Sequence, residues 1–349
     1  MSGPELVART LQISTEAWRS TLDAFANEVS PAPPDETVDE EIRRCLPALA
    51  LAYTRHSPPA SAPPLASAPC GCPACGELGV HPLLVRPPEL VYGRCNHCGH
   101  GVLLGDGAPH ASEARARQAG RRYYVTREPD GVGYDRYDQD ADYREAKGAR
   151  LIAKIGALVS PPVRRLLEVG SGYGFVRIAA ERAGLETGGV DVNDDACLEA
   201  ERRYGLRTFR GTLAEALARS PSAAVEPGAW DVVLYQFVLE HVADPVRELE
   251  EARRALRPHG WLVLLVPNMD AAEVDVFGAS YRSFRADHLH LFTVASLAAI
   301  LDRAGFRAHR VESHCNIHIF RDVLSPRALE RLYESGRGPD LFVLAQSLS

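Results

Sequence analysis

Leu166-Leu167-Glu168-Val169-Gly170-Ser171-Gly172-Tyr173-Gly174-Phe175 is the stretch whose reading decides the fold of this chain. Residues 163–169 are apolar apart from Arg164, Arg165 and Glu168, the pattern of a strand buried in a parallel sheet. A loop with glycine at every second position follows, and a helical pattern begins at once. Glycines belong where the backbone must come closer to a ligand than a Cβ allows. The helix behind them offers unpaired N–H groups and a positive dipole end. A nucleotide-like cofactor is therefore expected at the tip of this strand.

Outward from the loop, residues 149–349 alternate between strand and helix patterns. Strands are expected at 164–169, 187–192, 206–210, 230–235, 261–266, 306–313 and 341–346. Helical patterns fall at 148–158, 174–183, 194–203, 212–219, 244–257 and 293–304. Such alternation predicts an α/β fold with a doubly wound, seven-stranded sheet. No clear crossover separates the last two strands, so the final one is expected to run antiparallel.

The glycine spacing narrows the cofactor. A dinucleotide fingerprint from Gly170 needs glycine where Phe175 stands, and from Gly172 it needs glycine where Arg177 stands. A phosphate-binding Gly-Lys-Ser/Thr run is missing too. Asp191, at the end of the second strand in Gly189-Val190-Asp191-Val192-Asn193, is placed to accept both hydroxyls of a ribose. A tight glycine loop without a pyrophosphate suits a nucleoside carrying an amino-acid tail, which describes S-adenosylmethionine.

With these motifs in order, the sequence resembles the class I S-adenosylmethionine-dependent methyltransferases across residues 151–349. Residues 166–174 resemble the first motif, and the run Trp230-Asp231-Val232-Val233-Leu234-Tyr235-Gln236-Phe237-Val238-Leu239-Glu240-His241-Val242 the fourth-strand motif. Leu256-Arg257-Pro258-His259-Gly260-Trp261-Leu262 resembles the turn before strand five, with His259 where a second glycine is often seen. The resemblance implies a Rossmann-like fold and cofactor contacts from Glu168, Gly170, Ser171, Gly172, Tyr173, Gly174, Asp191, Val192, Thr212, Leu213, Gln236 and Phe237. Methyl transfer then requires alignment of the acceptor and exclusion of water, and a base only where the acceptor must lose a proton.

Histidines on the carboxyl edge of the sheet are the candidate bases. His241 follows the fourth strand, and Asp287-His288-Leu289-His290 follows the fifth. In extended chain His288 and His290 point to the same side. Read blandly, His241 only shapes a pocket. The layout is similar to that of the zinc-containing nucleotide-sugar C-methyltransferases, a resemblance that implies catalytic roles for Asp287, His288 and His241. Arg285 departs from it, standing where that family places a tyrosine.

Upstream, Cys72-Pro73-Ala74-Cys75 and Cys95-Asn96-His97-Cys98 are two Cys-x-x-Cys knuckles at zinc-ribbon spacing. Cys72, Cys75, Cys95 and Cys98 are the expected ligands of a structural zinc ion, with Cys70, His97 and His100 as spares. Four protein ligands close the coordination sphere, which favours a fold staple over catalysis. The module is expected at 70–104, after a Pro/Ala-rich tether at 57–69 and a helical extension at 1–56. That extension is read as a cap or an oligomerisation arm, giving a possible homo-oligomer. Residues 105–150 carry Tyr123, Tyr124, Tyr134, Tyr137 and Tyr143. They are read either as a connector packing on the next domain or as a lid whose phenols, Tyr134 among them, reach the cofactor.

Composition bounds the function. A net charge of −7 argues against a general grip on nucleic acid, and Arg86 and Arg94 are the only lysines or arginines between the knuckles. No apolar run is long enough to span a membrane, and Glu5 and Arg9 interrupt the start where a signal peptide would be apolar. A cytoplasmic protein acting on a small-molecule acceptor, natural-product or sugar-like, is expected. The rival readings are a binding scaffold of the same fold without turnover, and a nucleic-acid methyltransferase that reads through the ribbon.

Overall fold

The computed structural model describes residues 15–54, 70–86, 90–104, 116–126, 133–134, 137–219, 225–314 and 319–348. The proline-rich tether at 57–69 lies outside these. Twelve described strands are numbered here in chain order. The first four are β1 (Cys70–Gly71), β2 (Leu78–Arg86), β3 (Leu90–Cys95) and β4 (Gly101–Leu104). Next come β5 (Arg165–Val169), β6 (Glu186–Asp191), β7 (Phe209–Arg210), β8 (Trp230–Gln236) and β9 (Leu256–Pro267). The last three are β10 (His290–Leu291), β11 (Phe306–His314) and β12 (Asp340–Ser347).

Seven of them form one sheet in the order β11-β12-β9-β8-β5-β6-β7. The strands β7, β6, β5, β8 and β9 run parallel, whereas β12 is antiparallel to both β9 and β11. This is the doubly wound α/β sheet expected from the sequence, including its reversed last strand. Its strand β9 reads as an unbroken apolar run over 261–266 because helices cover both faces. Leu262, Val263, Leu264 and Leu265 are all at most 1% exposed. One face packs on Leu249, Leu297 and Ile300, and the other on Ile152, Ile155 and Val176.

The turn expected at 256–260 is instead the opening of β9, which slips register against β8 between Trp230 and Val232. His259 sits there at φ 58°, a left-handed conformation in which glycine would be relaxed.

A second sheet has the order β1-β2-β3-β4-β10. Its first four strands come from the cysteine-rich segment, but its fifth is His290–Leu291, from the loop after β9. The two segments are therefore one packed body: Cys72, Val80 and Cys98 share a core with Phe292, Leu297 and Leu301.

The helices Thr15–Glu28 and Val38–Thr54 pack on two helices that had no counterpart in the expected pattern, Ala272–Phe277 and Pro326–Glu334. Trp18 and Tyr53 meet Phe277 edge-on at 6.4 and 4.9 Å, and Phe277 stacks on Phe320. The apolar face read as a possible oligomerisation arm is thus turned onto the same chain. Among the described residues, no helix is long and apolar enough to cross a membrane.

Candidate cofactor and metal sites

The end of β5 shows why the loop is built of glycine. Gly170, Gly172 and Gly174 all have positive φ, at 69°, 51° and 81°. A Cβ on Gly170 would lie 2.3 Å from Val238 Cγ2, and one on Gly174 would lie 2.7 Å from Leu206 Cδ1. The N–H groups of Gly170 and Ser171 both donate to the Val190 carbonyl, at 2.7 and 3.1 Å, which ties the loop to β6. The N–H of Gly172 donates to Asp191 Oδ2 at 2.7 Å, and the N–H of Asn193 to Oδ1 at 2.8 Å. Asp191 is thereby fixed with further lone pairs on each oxygen. Burial raises its pKa to about 6 against the pull of those two N–H bonds.

Glu168 and Ser171 are buried beside it, and Glu168 Oε2 and Ser171 Oγ have no protein partner. Burial holds the Glu168 carboxyl at about 8, despite the nearby Arg177. Such unmet polar atoms under a glycine cradle are what an absent polar ligand leaves behind.

Of the other expected contacts, Val192 follows β6 and is partly exposed, as are Gln236 and Phe237 at the end of β8. Phe237 has φ 57°, a strained value for an aromatic residue and one found at functional turns. Thr212 caps the helix Leu213–Ala218 in a capping box with Glu215. Leu213 is fully buried in the core cluster that holds Val169 and Val190 of the sheet.

Over the loop lies a layer of tyrosines. Tyr124 and Tyr137 pack on Tyr173 with ring centroids 4.7 and 5.3 Å apart, and Tyr134 stacks on Tyr124 at 6.0 Å. The hydroxyls of Tyr137 and Tyr124 would stand 3.4 and 3.6 Å from a Cβ on Gly172. Tyr124 and Tyr137 therefore belong to the same neighbourhood as Tyr134, although only Tyr134 was singled out from the sequence. Nothing local distinguishes one tyrosine of that run from the next.

Three of the histidine-segment residues come together. His241, in the short turn Leu239–His241, and His288 meet edge-on with centroids 4.8 Å apart. The Nδ1 of His241 contacts the Asp287 carbonyl at 2.6 Å, and that of His288 the Ser283 carbonyl at 2.9 Å. A carbonyl can only accept, so each Nδ1 carries the proton and each Nε2 the lone pair. Burial lowers both imidazole pKa values, which favours the neutral form.

The carboxylate of Asp287 takes two bonds of 2.9 Å from Arg285, a third of 3.2 Å from the Tyr123 hydroxyl, and lies 3.9 Å from His241 Nδ1. Burial would raise its pKa, but Arg285 and the two histidines hold it well below the usual range. The partner of Asp287 is thus chiefly Arg285.

His290 turns away, to place its Nδ1 3.1 Å from the Nε2 of His100 in the cysteine-rich segment. The shared side expected for His288 and His290 is not formed, because residue 288 ends a turn and only 290–291 are extended.

Sequence reasoning passed over Glu240. It is fully buried beside the two histidines, neither of its carboxylate oxygens has a protein partner, and burial raises its pKa to about 8. Its signal was an acidic residue inside an otherwise apolar run. Tyr92 was also missed. From β3 its hydroxyl meets the carbonyls of Arg285 and His288 at 2.6 and 2.9 Å and accepts the Arg285 N–H at 3.0 Å.

The four cysteines converge as their spacing implied. Cys72 and Cys98 sulfurs lie 3.6 Å apart, Cys75 and Cys95 sulfurs 3.7 Å apart, and all four sit within 4.8 Å of one another. Ligands of a tetrahedral ion with bonds of about 2.3 Å stand about 3.8 Å apart, so the set fits zinc. Two of the spares find other work: His97 Nε2 contacts the Leu78 carbonyl at 3.2 Å, and His100 pairs with His290.

Residues 137–311, half of the chain, match the family model described as a methyltransferase domain. A ubiquinone biosynthesis O-methyltransferase of Thiobacillus denitrificans is 30% identical over 120 residues, 34% of this chain and 51% of that protein. An uncharacterized 37.1 kDa protein in transposon TN4556 of Streptomyces fradiae is 31% identical over 167 residues, 47% of this chain and 46% of that one. The chain spans about half the length of the curated relatives it matches. Among solved structures, the Burkholderia thailandensis 1,6-didemethyltoxoflavin-N1-methyltransferase superposes with a TM-score of 0.47 at 17% identity, over 77% of this chain and all of that one. The family match covers the strand–loop–helix units that carry the glycine loop and Asp191, and the chain belongs to the class I S-adenosylmethionine-dependent methyltransferase-domain family.

Proposed function

We propose that this protein binds S-adenosylmethionine on residues 168–174 and transfers its methyl group to a small-molecule acceptor, natural-product or sugar-like. The observation that carries the reading is Asp191, held by the N–H groups of Gly172 and Asn193 beside two unmet polar atoms. Asp191 accepts the ribose hydroxyls, and the glycines let the amino-acid tail approach the backbone. When bound, the cofactor supplies an electrophilic methyl carbon. The residues of the chain do the rest: the tyrosine layer excludes water, and the cluster of Glu240, His241 and His288 faces the acceptor. O-, N- and C-methylation are all compatible with a lone pair on each histidine Nε2, which takes a proton from an acceptor that must lose one. The ubiquinone-biosynthesis relatives support a small acceptor rather than a macromolecule, as does the net charge of −7.

We further propose that Cys72, Cys75, Cys95 and Cys98 hold a structural zinc ion. Their four thiolates close its coordination and leave no position for a reactant.

Calorimetry tests the main reading. Wild-type protein is expected to bind S-adenosylmethionine, and Asp191→Ala and Gly170→Val to lose at least ten-fold in affinity. No heat of binding with the folded wild type would sink the proposal.

A further inference from the structure

We propose that Glu240, His241 and His288 form a second metal site, distinct from the cysteine cluster, for one divalent cation with nitrogen and oxygen ligands. One ligand atom from each lies within 4.8 Å of the other two. The argument begins with Glu240, which is fully buried with two unpartnered carboxylate oxygens. An isolated buried carboxylate is costly, and such groups are found paired, protonated or on a metal. The guanidinium of Arg285, whose charge acts on Glu240, is already bound twice to Asp287 and donates to the Gly133 carbonyl as well. Beside Glu240 stand the two imidazoles, and in each the Nδ1–H donates to a backbone carbonyl, which leaves the lone pair on Nε2.

A carboxylate oxygen and a ring nitrogen from each histidine thus share one small space, and a cation is the species that would bind all three. Two histidines and a carboxylate are also the donor set of open zinc and iron sites, and the Nδ1–H to carbonyl bond is how ligating histidines are commonly oriented. An ion with bonds of about 2.1 Å would bring its ligands to about 3.4 Å apart or less, drawing the three side chains inward. Three protein ligands leave positions for oxygen donors, so an acceptor with adjacent hydroxyl or carbonyl groups is the class that would complete the sphere. With the ion bound, both Nε2 atoms are ligands and neither takes a proton from the acceptor.

Metal content tests this independently of methyl transfer. Protein saturated with zinc and then dialysed is expected to retain about two ions per chain, one on the cysteines. Glu240→Gln and His288→Gln are expected to retain only the cysteine-bound ion. Cobalt loaded after zinc has filled the cysteines should show ligand-field bands without the charge-transfer absorption of thiolate. One zinc per wild-type chain, with the cysteine cluster shown to be filled, would overturn the proposal whatever the variants do. Retention of the second ion by both variants would overturn the assignment equally. Cofactor binding, measured alongside, separates a failure of this site from a failure of the methyltransferase reading.

Discussion

Asp191 shows how one side chain links loop geometry to pH. Its carboxylate is useful to a ribose only when ionised, because both hydroxyls then donate to it. Burial raises its pKa to about 6. Cofactor affinity is therefore expected to be steady well above pH 6 and to fall as the pH drops through that value, since protonation turns an acceptor into a donor. Calorimetric titration over this range reads the effect, and an affinity unchanged to pH 5 would remove Asp191 from the ribose contact. At the same scale, Asp191 and the glycines were legible because their spacing is local. Glu240, Tyr92 and Tyr123 were not: Tyr123 and its partner Asp287 are 164 residues apart, and no short pattern reports such a pairing.

Among the elements, β3 acts at a distance. Through Tyr92 it grips the loop that carries Arg285, Asp287 and His288. Tyr92→Phe removes a hydroxyl from a buried network and is expected to cost about 1–3 kcal/mol of stability. Because the loop rather than the cofactor cradle is released, turnover should fall several-fold while the affinity for S-adenosylmethionine changes little. Kinetics and calorimetry on the same preparation separate the two, and equal losses in both would contradict a positioning role. The strands β5, β8 and β9 were readable because each carries an apolar stretch, at 166–167, 232–235 and 261–266, next to turn residues. β10 was not, since two residues carry no period, and the helix Ala272–Phe277 is too short to show one.

For the whole molecule, three segments of sequence make one body. Trp18 is fully buried against Phe277 and belongs to the cluster that joins the first helices to the helix Pro326–Glu334. Trp18→Ala is expected to destabilise the fold by about 3–5 kcal/mol, as truncation of a large buried aromatic does. Its cofactor affinity should stay within a few-fold of wild type, because the cluster contains no residue of the glycine loop. Denaturant unfolding and calorimetry give both numbers. An unchanged midpoint would mean that the amino-terminal helices are not docked as described.

The borrowed strand β10 bears on how this protein can be cut. A fragment ending after Leu104 would carry all four knuckle cysteines yet leave β4 paired on the β3 side alone, exposing an unpaired edge where β10 lies. The complementary fragment would lose the β4 partner of His290 and Leu291, together with the Tyr92 clamp on residues 285 and 288. Grafting the cysteine module onto another protein therefore means carrying residues 285–293 with it. Engineering this chain by modules has to follow the sheet, not the order of the sequence.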